Sequence, residues 1–177
     1  MEQSGKIYVY LMQFFTKTEM ASLIGEFECK LDVKSRVMLP ANLKKQFAAE
    51  DQFSFVINRG FEKCLVLYPL SEWKKISEEL RGKLSLYTKK NREFVRYFFR
   101  GATELSVDSS NRILLPKNLL EYAGIDREIV LFAFFNRVEI WAKELYGNIL
   151  TDEPEDFSDL AEEVMGKNTI EGHEQKS

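Results

Sequence analysis

GEFECKLDVKSRVMLPANL, residues 25–43, decides the fold, because it returns without a gap as GATELSVDSSNRILLPKNL at residues 101–119, an offset of 76. Eight of the nineteen positions are identical: Gly25/Gly101, Glu28/Glu104, Asp32/Asp108, Arg36/Arg112, Leu39/Leu115, Pro40/Pro116, Asn42/Asn118 and Leu43/Leu119. Identity held at one fixed offset marks a duplicated unit, and a duplicated unit too small to cover its own apolar faces must pack against its copy.

Working outward, each copy has the same local grammar. An extended run ends at the aspartate, and a loop of turn-forming residues follows: Asp32, Lys34 and Ser35 in one copy, Asp108, Ser109, Ser110 and Asn111 in the other. A second strand, Val37–Leu39 or Ile113–Leu115, ends at a proline, which terminates sheet pairing and suits the first turn of a helix. Leu43 and Phe47, and likewise Leu119 and Ala123, are spaced to share one helix face, and Gly124 stands where a left-handed cap closes the second helix. A β-hairpin then follows in each copy, Phe53–Ile57 with Cys64–Tyr68 around Asn58-Arg59-Gly60, and a tighter one, Ile129–Phe135 with Val138–Trp141 around Asn136-Arg137. Between the copies, Ser71 is the expected cap of a helix bearing Trp73, Ile76 and Leu80, and an amphipathic helix is expected over Thr88–Arg100 with Phe94, Tyr97 and Phe98 for packing. Its bases Lys89, Lys90, Arg92, Arg96 and Arg100 read as a solvated face or a polyanion contact. The fold class is therefore α+β and β-rich: duplicated ββαββ halves forming one pseudo-symmetric unit with connecting helices.

Composition excludes several function classes. With 177 residues, 45% apolar and 30% charged, the chain can bury a core without staples. Cys29 and Cys64 lack the spacing of a zinc knuckle or a disulfide framework and read as reduced packing thiols. His173, the only histidine, lies in a polar tail, so histidine-based catalysis and metal binding have no basis, and no phosphate-binding glycine loop is present. No enzyme activity, metal or cofactor is expected. Ile7–Phe15 is apolar but too short to span a bilayer, and no cleavage pattern follows it, so a cytoplasmic protein is expected. The net charge of −3 conceals an asymmetry: residues 151–177 carry nine acids against Lys167 and Lys176, leaving 23 bases against 19 acids in residues 1–150. A mildly basic body is compatible with a nucleic-acid partner. The expected organisation is an N-terminal extension over 1–22, with either Met1 or Met20 as the true start, a first half over 23–70, connecting helices over 71–100, a second half over 101–146, and an acidic, disordered tail over 147–177.

The order G-x-x-x-x-x-x-D-x-x-x-R-x-x-L-P, present twice and separated by two helices, resembles the MraZ family of the AbrB/SpoVT superfamily. The resemblance covers Leu23 to about Tyr146, with RGFEKCLVLYPLSEW in the first half and FFRGATE opening the second. It implies a swapped-hairpin fold and a ring-like homo-oligomer. It also implies a transcriptional regulator that binds short repeated elements of double-stranded DNA upstream of the division and cell-wall gene cluster, its own gene included, in a cytoplasmic, nucleoid-associated setting. The loop residues it carries over are Asp32, Arg36, Asp108 and Arg112. An arginine can fork two hydrogen bonds onto the O6/N7 edge of guanine, whereas an aspartate would repel phosphate, so Arg36 and Arg112 are the expected base readers and Asp32 and Asp108 their supports. An Asp–Arg pair that only staples the loop is the competing reading. Lys34 is the expected phosphate contact. The second loop carries no lysine, which implies weaker binding there unless Lys117 compensates. The rival function is that of an AbrB-type antitoxin neutralising a partner toxin through its acidic tail.

Overall fold

Strand, strand, helix, strand, strand is the observed order of each half. The computed structural model describes residues 22–151 and 157–166. In the first half it places β1 (Leu23–Lys30), β2 (Arg36–Met38), α1 (Ala41–Lys44), β3 (Ser54–Arg59) and β4 (Leu65–Pro69). Two connecting helices follow, α2 (Leu70–Lys83) and α3 (Lys89–Phe98). The second half comprises β5 (Thr103–Ser106), β6 (Arg112–Leu114), α4 (Lys117–Ala123), β7 (Glu128–Phe135) and β8 (Arg137–Ala142). Residues 1–21, which hold most of the expected N-terminal extension and both candidate starts, lie outside the described residues.

The halves exchange strands. Six strands form an antiparallel sheet in the order β1-β7-β8-β4-β3-β5, so the first strand of each half leaves its own hairpin and edges the hairpin of the other. β1 pairs with β7 from Leu23↔Phe135 to Lys30↔Glu128, β5 pairs with β3 from Ser54↔Ser106 to Ile57↔Thr103, and the hairpins meet at β4 and β8 around Val66↔Glu139. Burial follows position in the sheet. The inner strands read as near-continuous apolar runs, with Phe55, Ile57, Leu65, Leu67, Leu131 and Ile140 fully buried, because both of their faces are covered. The edge strand β1 starts at the buried Leu23 and then alternates between exposed and half-buried residues, as a half-covered strand must. As expected, the second hairpin is the tighter one: Asn136 alone separates β7 from β8, whereas Gly60–Cys64 separates β3 from β4.

Both repeated glycines have a backbone reason. Gly25 and Gly101 have φ of +131° and +86°, and a Cβ on either would lie 2.8 Å from the Phe27 ring or from a Leu119 methyl. Gly124 takes the expected left-handed cap of α4 at φ 63°.

Two local expectations need correction. The first helix stops after one turn, so Phe47 lies beyond it, although it is buried against Phe55 at 4.9 Å. There the chain tightens into i→i+3 bonds from the Gln46 and Phe47 N–H groups, and the Gln46 side chain turns away to pair with both the N–H and the C=O of Ile24. Ser71 does not cap α2. The helix begins one residue earlier, with Pro69 preceding it, and the buried Asp51 carboxylate accepts from the Ser71 N–H at 3.1 Å and from its hydroxyl at 2.5 Å. The cap comes from a distant turn, which local spacing cannot reveal. A second unit of the chain starts at Lys143 and, where it is described, forms α5 (Lys143–Thr151) and α6 (Phe157–Gly166). Phe157, Leu160 and Val164 recur at helical spacing among the acids, a periodicity that composition alone hides.

α3 starts where expected, with the Thr88 hydroxyl accepting from the Asn91 N–H at 3.3 Å. Trp73 fastens it to α2, stacking on Phe98 at 5.9 Å and meeting Phe99 edge-on at 5.4 Å.

Candidate functional site

β2 and β6 leave the large sheet and pair only with each other, Arg36↔Leu114, Val37↔Ile113 and Met38↔Arg112. Three residues per strand with side chains alternating between faces give this ribbon two different sides. Val37 and Ile113 point inward and are fully buried. Arg36, Met38, Arg112 and Leu114 share the outer side, where Met38 is 61% and Leu114 56% exposed. The pairing therefore sets each arginine beside an exposed apolar side chain of the opposite half.

The two loops feeding this ribbon are superimposable in their bonding. The Ser35 N–H donates to the Asp32 carbonyl and the Asn111 N–H to the Asp108 carbonyl, each at 3.0 Å. The next contact reverses direction, with Asp32 and Asp108 N–H groups donating to the Arg36 and Arg112 carbonyls at 2.9 and 2.8 Å. Ser35 and Asn111 sit at φ 62° and 58°, the left-handed position that closes each turn. The loops also lock into one another: the Leu39 N–H donates to the Asn111 carbonyl and the Leu115 N–H to the Ser35 carbonyl, at 2.9 and 3.0 Å.

Within each loop the aspartate is the organiser. Asp32 Oδ1 accepts the N–H groups of Lys34 and Arg36 at 2.8 and 3.0 Å, while Oδ2 takes Nε and Nη2 of Arg36, both at 2.7 Å. Asp108 repeats the pattern with the N–H groups of Ser110 and Arg112 at 2.8 and 3.0 Å and with Arg112 Nε at 3.0 Å. The copies differ in two respects: Arg36 meets its aspartate through both Nε and Nη2 whereas Arg112 uses Nε, and Arg112 Nη1 also lies 3.8 Å from Asp32 Oδ2, so Asp32 faces both guanidinium groups. These donors act on acidity. The Arg36 side chain, followed by its backbone N–H, lowers the Asp32 carboxyl to about 2, and the Arg112 backbone N–H leads a downward shift at Asp108. Both carboxylates are charged at neutral pH.

The structure thus brings Arg36, Arg112, Asp32 and Asp108 together on one surface, with side-chain exposures of 27–35%. Lys34 is exposed in the first loop. A guanidinium has five N–H donors in a plane, so an arginine whose Nε edge is held by a carboxylate keeps its outer edge for a second planar acceptor. The stapling and reading roles weighed for the Asp–Arg pair are compatible in this geometry.

Sequence reasoning missed Met38 and Leu114, although period-two alternation from the arginines could have found them. It also missed Lys44, whose ammonium donates to Asn111 Oδ1 and lies 4.8 Å above the Phe53 ring. Elsewhere the molecule offers little chemistry. Cys29 and Cys64 are free thiols whose burial pushes their pKa up, away from thiolate reactivity. Among the described residues, no cluster of three or more His, Cys, Asp or Glu could hold a metal, and no helix is long and apolar enough to cross a membrane.

A family model described as "MraZ protein, putative antitoxin-like" matches the chain twice, over residues 22–97 and 98–168. A protein of Christiangramia forsetii named transcriptional regulator MraZ is 47% identical over 86% of this chain and 99% of its own length. Proteins of the same name from Flavobacterium psychrophilum and Cytophaga hutchinsonii are 43% and 39% identical over 83% and 82% of this chain, and over 94% and 96% of their own. The repeat, the exchanged strands, the paired D-x-x-x-R loops and these matches across both halves agree: the chain belongs to the MraZ family.

Proposed function

We propose that this protein is a DNA-binding transcriptional regulator whose β2–β6 ribbon enters the major groove of double-stranded DNA. The observation that carries the reading is the outer face of that ribbon, where Arg36 and Arg112 stand diagonally across the strand pair, each held by its own loop aspartate. A two-stranded ribbon fits the major groove, and an arginine fixed at its Nε edge presents the fork that guanine O6 and N7 accept. Met38 and Leu114 are suited to thymine methyl groups in the same groove. Lys34 contacts phosphate, while Asp32 and Asp108 support the readers without touching DNA. The halves 23–70 and 101–146 are the paired reading units, joined by 71–100.

In this reading the protein binds tandem repeats upstream of the division and cell-wall gene cluster, its own gene included, as a ring-like homo-oligomer in the cytoplasm and on the nucleoid. Successive repeats then meet loops of neighbouring subunits, and the second contact benefits from a high effective concentration. Exposed Ile24 on the edge strand β1 and Phe135 at the end of β7, 75% and 55% accessible, supply apolar surface for subunit contact.

A gel shift on the region upstream of its own gene tests the reading. Wild-type protein is expected to shift that DNA at low salt and to release it as salt rises; no shift at low salt overturns the proposal. An antitoxin role is the second reading, favoured by α6, which exposes Phe157, Leu160, Val164 and Met165 along an acidic helix. Capture of a small toxin encoded beside its gene, lost when the α6 residues are changed to serine, would favour it.

A further inference from the structure

The second loop has no lysine of its own, yet the structure delivers one to it from the other half. Lys44, at the end of α1, donates to the side-chain oxygen of Asn111, the left-handed residue that closes the second loop. Its stem runs past Phe53, with the ammonium 4.8 Å from the ring centre, which limits where the charge can go. Beside it lies a concavity of about 390 Å³ lined by Met38, Leu39, Pro40, Lys44, Lys45 and Gln52 among others, opening next to the outer face of the ribbon.

The duplication makes this placement informative. At the offset of 76, Lys34 corresponds to Ser110 and Lys44 to Leu120, which is buried. The two halves therefore carry their lysines at different repeat positions. The exchange of chain between halves nevertheless leaves one ammonium at each loop, Lys34 within the first and Lys44 against the second. Lys117 fills a different place: it corresponds to Ala41 and opens α4.

We propose that Lys44 supplies to the second loop the phosphate contact that its own sequence lacks, so that the two loops grip the DNA backbone with one lysine each. This rests on the DNA-binding reading of the ribbon. An ammonium has three donors, so the bond to Asn111 fixes its direction and leaves two for phosphate oxygens. Such a contact adds affinity without sequence information and releases counterions. Lys44 thus replaces Lys117 as the residue that compensates for the lysine-free loop.

The test is a salt series of anisotropy titrations on a duplex from upstream of its own gene and on a scrambled duplex, with wild type, Lys44→Met, Lys44→Arg, Lys34→Met and Lys117→Met. Methionine keeps an apolar stem over Phe53 while removing the charge. Lys44→Met is expected to weaken binding by a similar factor on both duplexes and to lower the slope of log K against log salt by about 0.9, the amount for one phosphate contact. Lys34→Met should match it, Lys44→Arg should restore the slope, and Lys117→Met should leave the slope near wild type. Wild-type binding with an unchanged slope in Lys44→Met overturns the proposal, as does a slope loss that appears in Lys117→Met instead. A wild-type protein that binds neither duplex overturns the DNA reading itself, an outcome distinct from both.

Discussion

At the scale of single residues, the aspartates and arginines of the two loops divide the work unequally. Arg36 and Arg112 are each expected to cost about 1–3 kcal/mol of specific DNA affinity when changed to alanine, with retention of the fold and of oligomer size in size-exclusion chromatography. Binding that survives both changes would make the arginines staples only. Asp32 faces both guanidinium groups and Asp108 only its own. Asp32→Asn should therefore loosen both loops, read as faster amide exchange at Ser35 and at Asn111, whereas Asp108→Asn should act mainly on the second loop. The pH dependence follows from the same contacts. A carboxylate whose folded pKa lies below its ordinary value stabilises the native state above that value and loses the contribution as pH falls through the folded pKa. For Asp32 the window runs from 3.8 down to about 2. The melting-temperature gap between wild type and Asp32→Asn should be constant from pH 5 to 8 and close as pH drops through that window; a gap that instead changed between pH 6 and 8 would contradict the assignment.

Among the elements, what the sequence made legible was local or periodic. The repeat located both loops, the apolar runs Phe55–Ile57 and Leu65–Tyr68 located the inner strands, and Thr88 and Gly124 marked helix ends that the structure retains. What it hid depends on partners distant in the chain. The one-turn length of α1 depends on Gln46 leaving for Ile24, and the α2 cap belongs to Asp51 rather than to Ser71. The ribbon itself joins strands 76 residues apart, and only that pairing makes Arg36, Met38, Arg112 and Leu114 neighbours. Gly101 illustrates an element-scale constraint that the repeat did flag. Its φ of +86° disfavours any side chain, and a Cβ would press on Leu119, which is fully buried. Gly101→Ala is expected to destabilise the fold by more than about 1 kcal/mol in urea melts. An unchanged midpoint would show that the β5 entry relaxes at no cost.

For the unit ending at Ala142, the exchange of β1 and β5 has a consequence for folding. Neither half owns the strand that edges its hairpin: β1 completes the sheet at β7, β5 completes it at β3, and the β4–β8 seam joins the two hairpins. A single half would expose both the seam and the edge of β3 meant for β5, leaving unpaired strand edges beside apolar side chains. The ribbon would also lose one of its two strands, and with it the burial of Val37 against Ile113. A fragment of residues 22–100 is therefore expected not to fold as a monomer. It should either remain unfolded by circular dichroism or pair with a second copy, because its own β1 can meet a second copy's hairpin much as it meets β7. Mixing it with residues 101–151 should restore β-sheet signal at a one-to-one ratio, measured by circular dichroism and sedimentation. The DNA-reading surface should return in the same step, since each face of the ribbon needs one strand from each half. A folded, monomeric 22–100 fragment would show that the exchange of strands is dispensable.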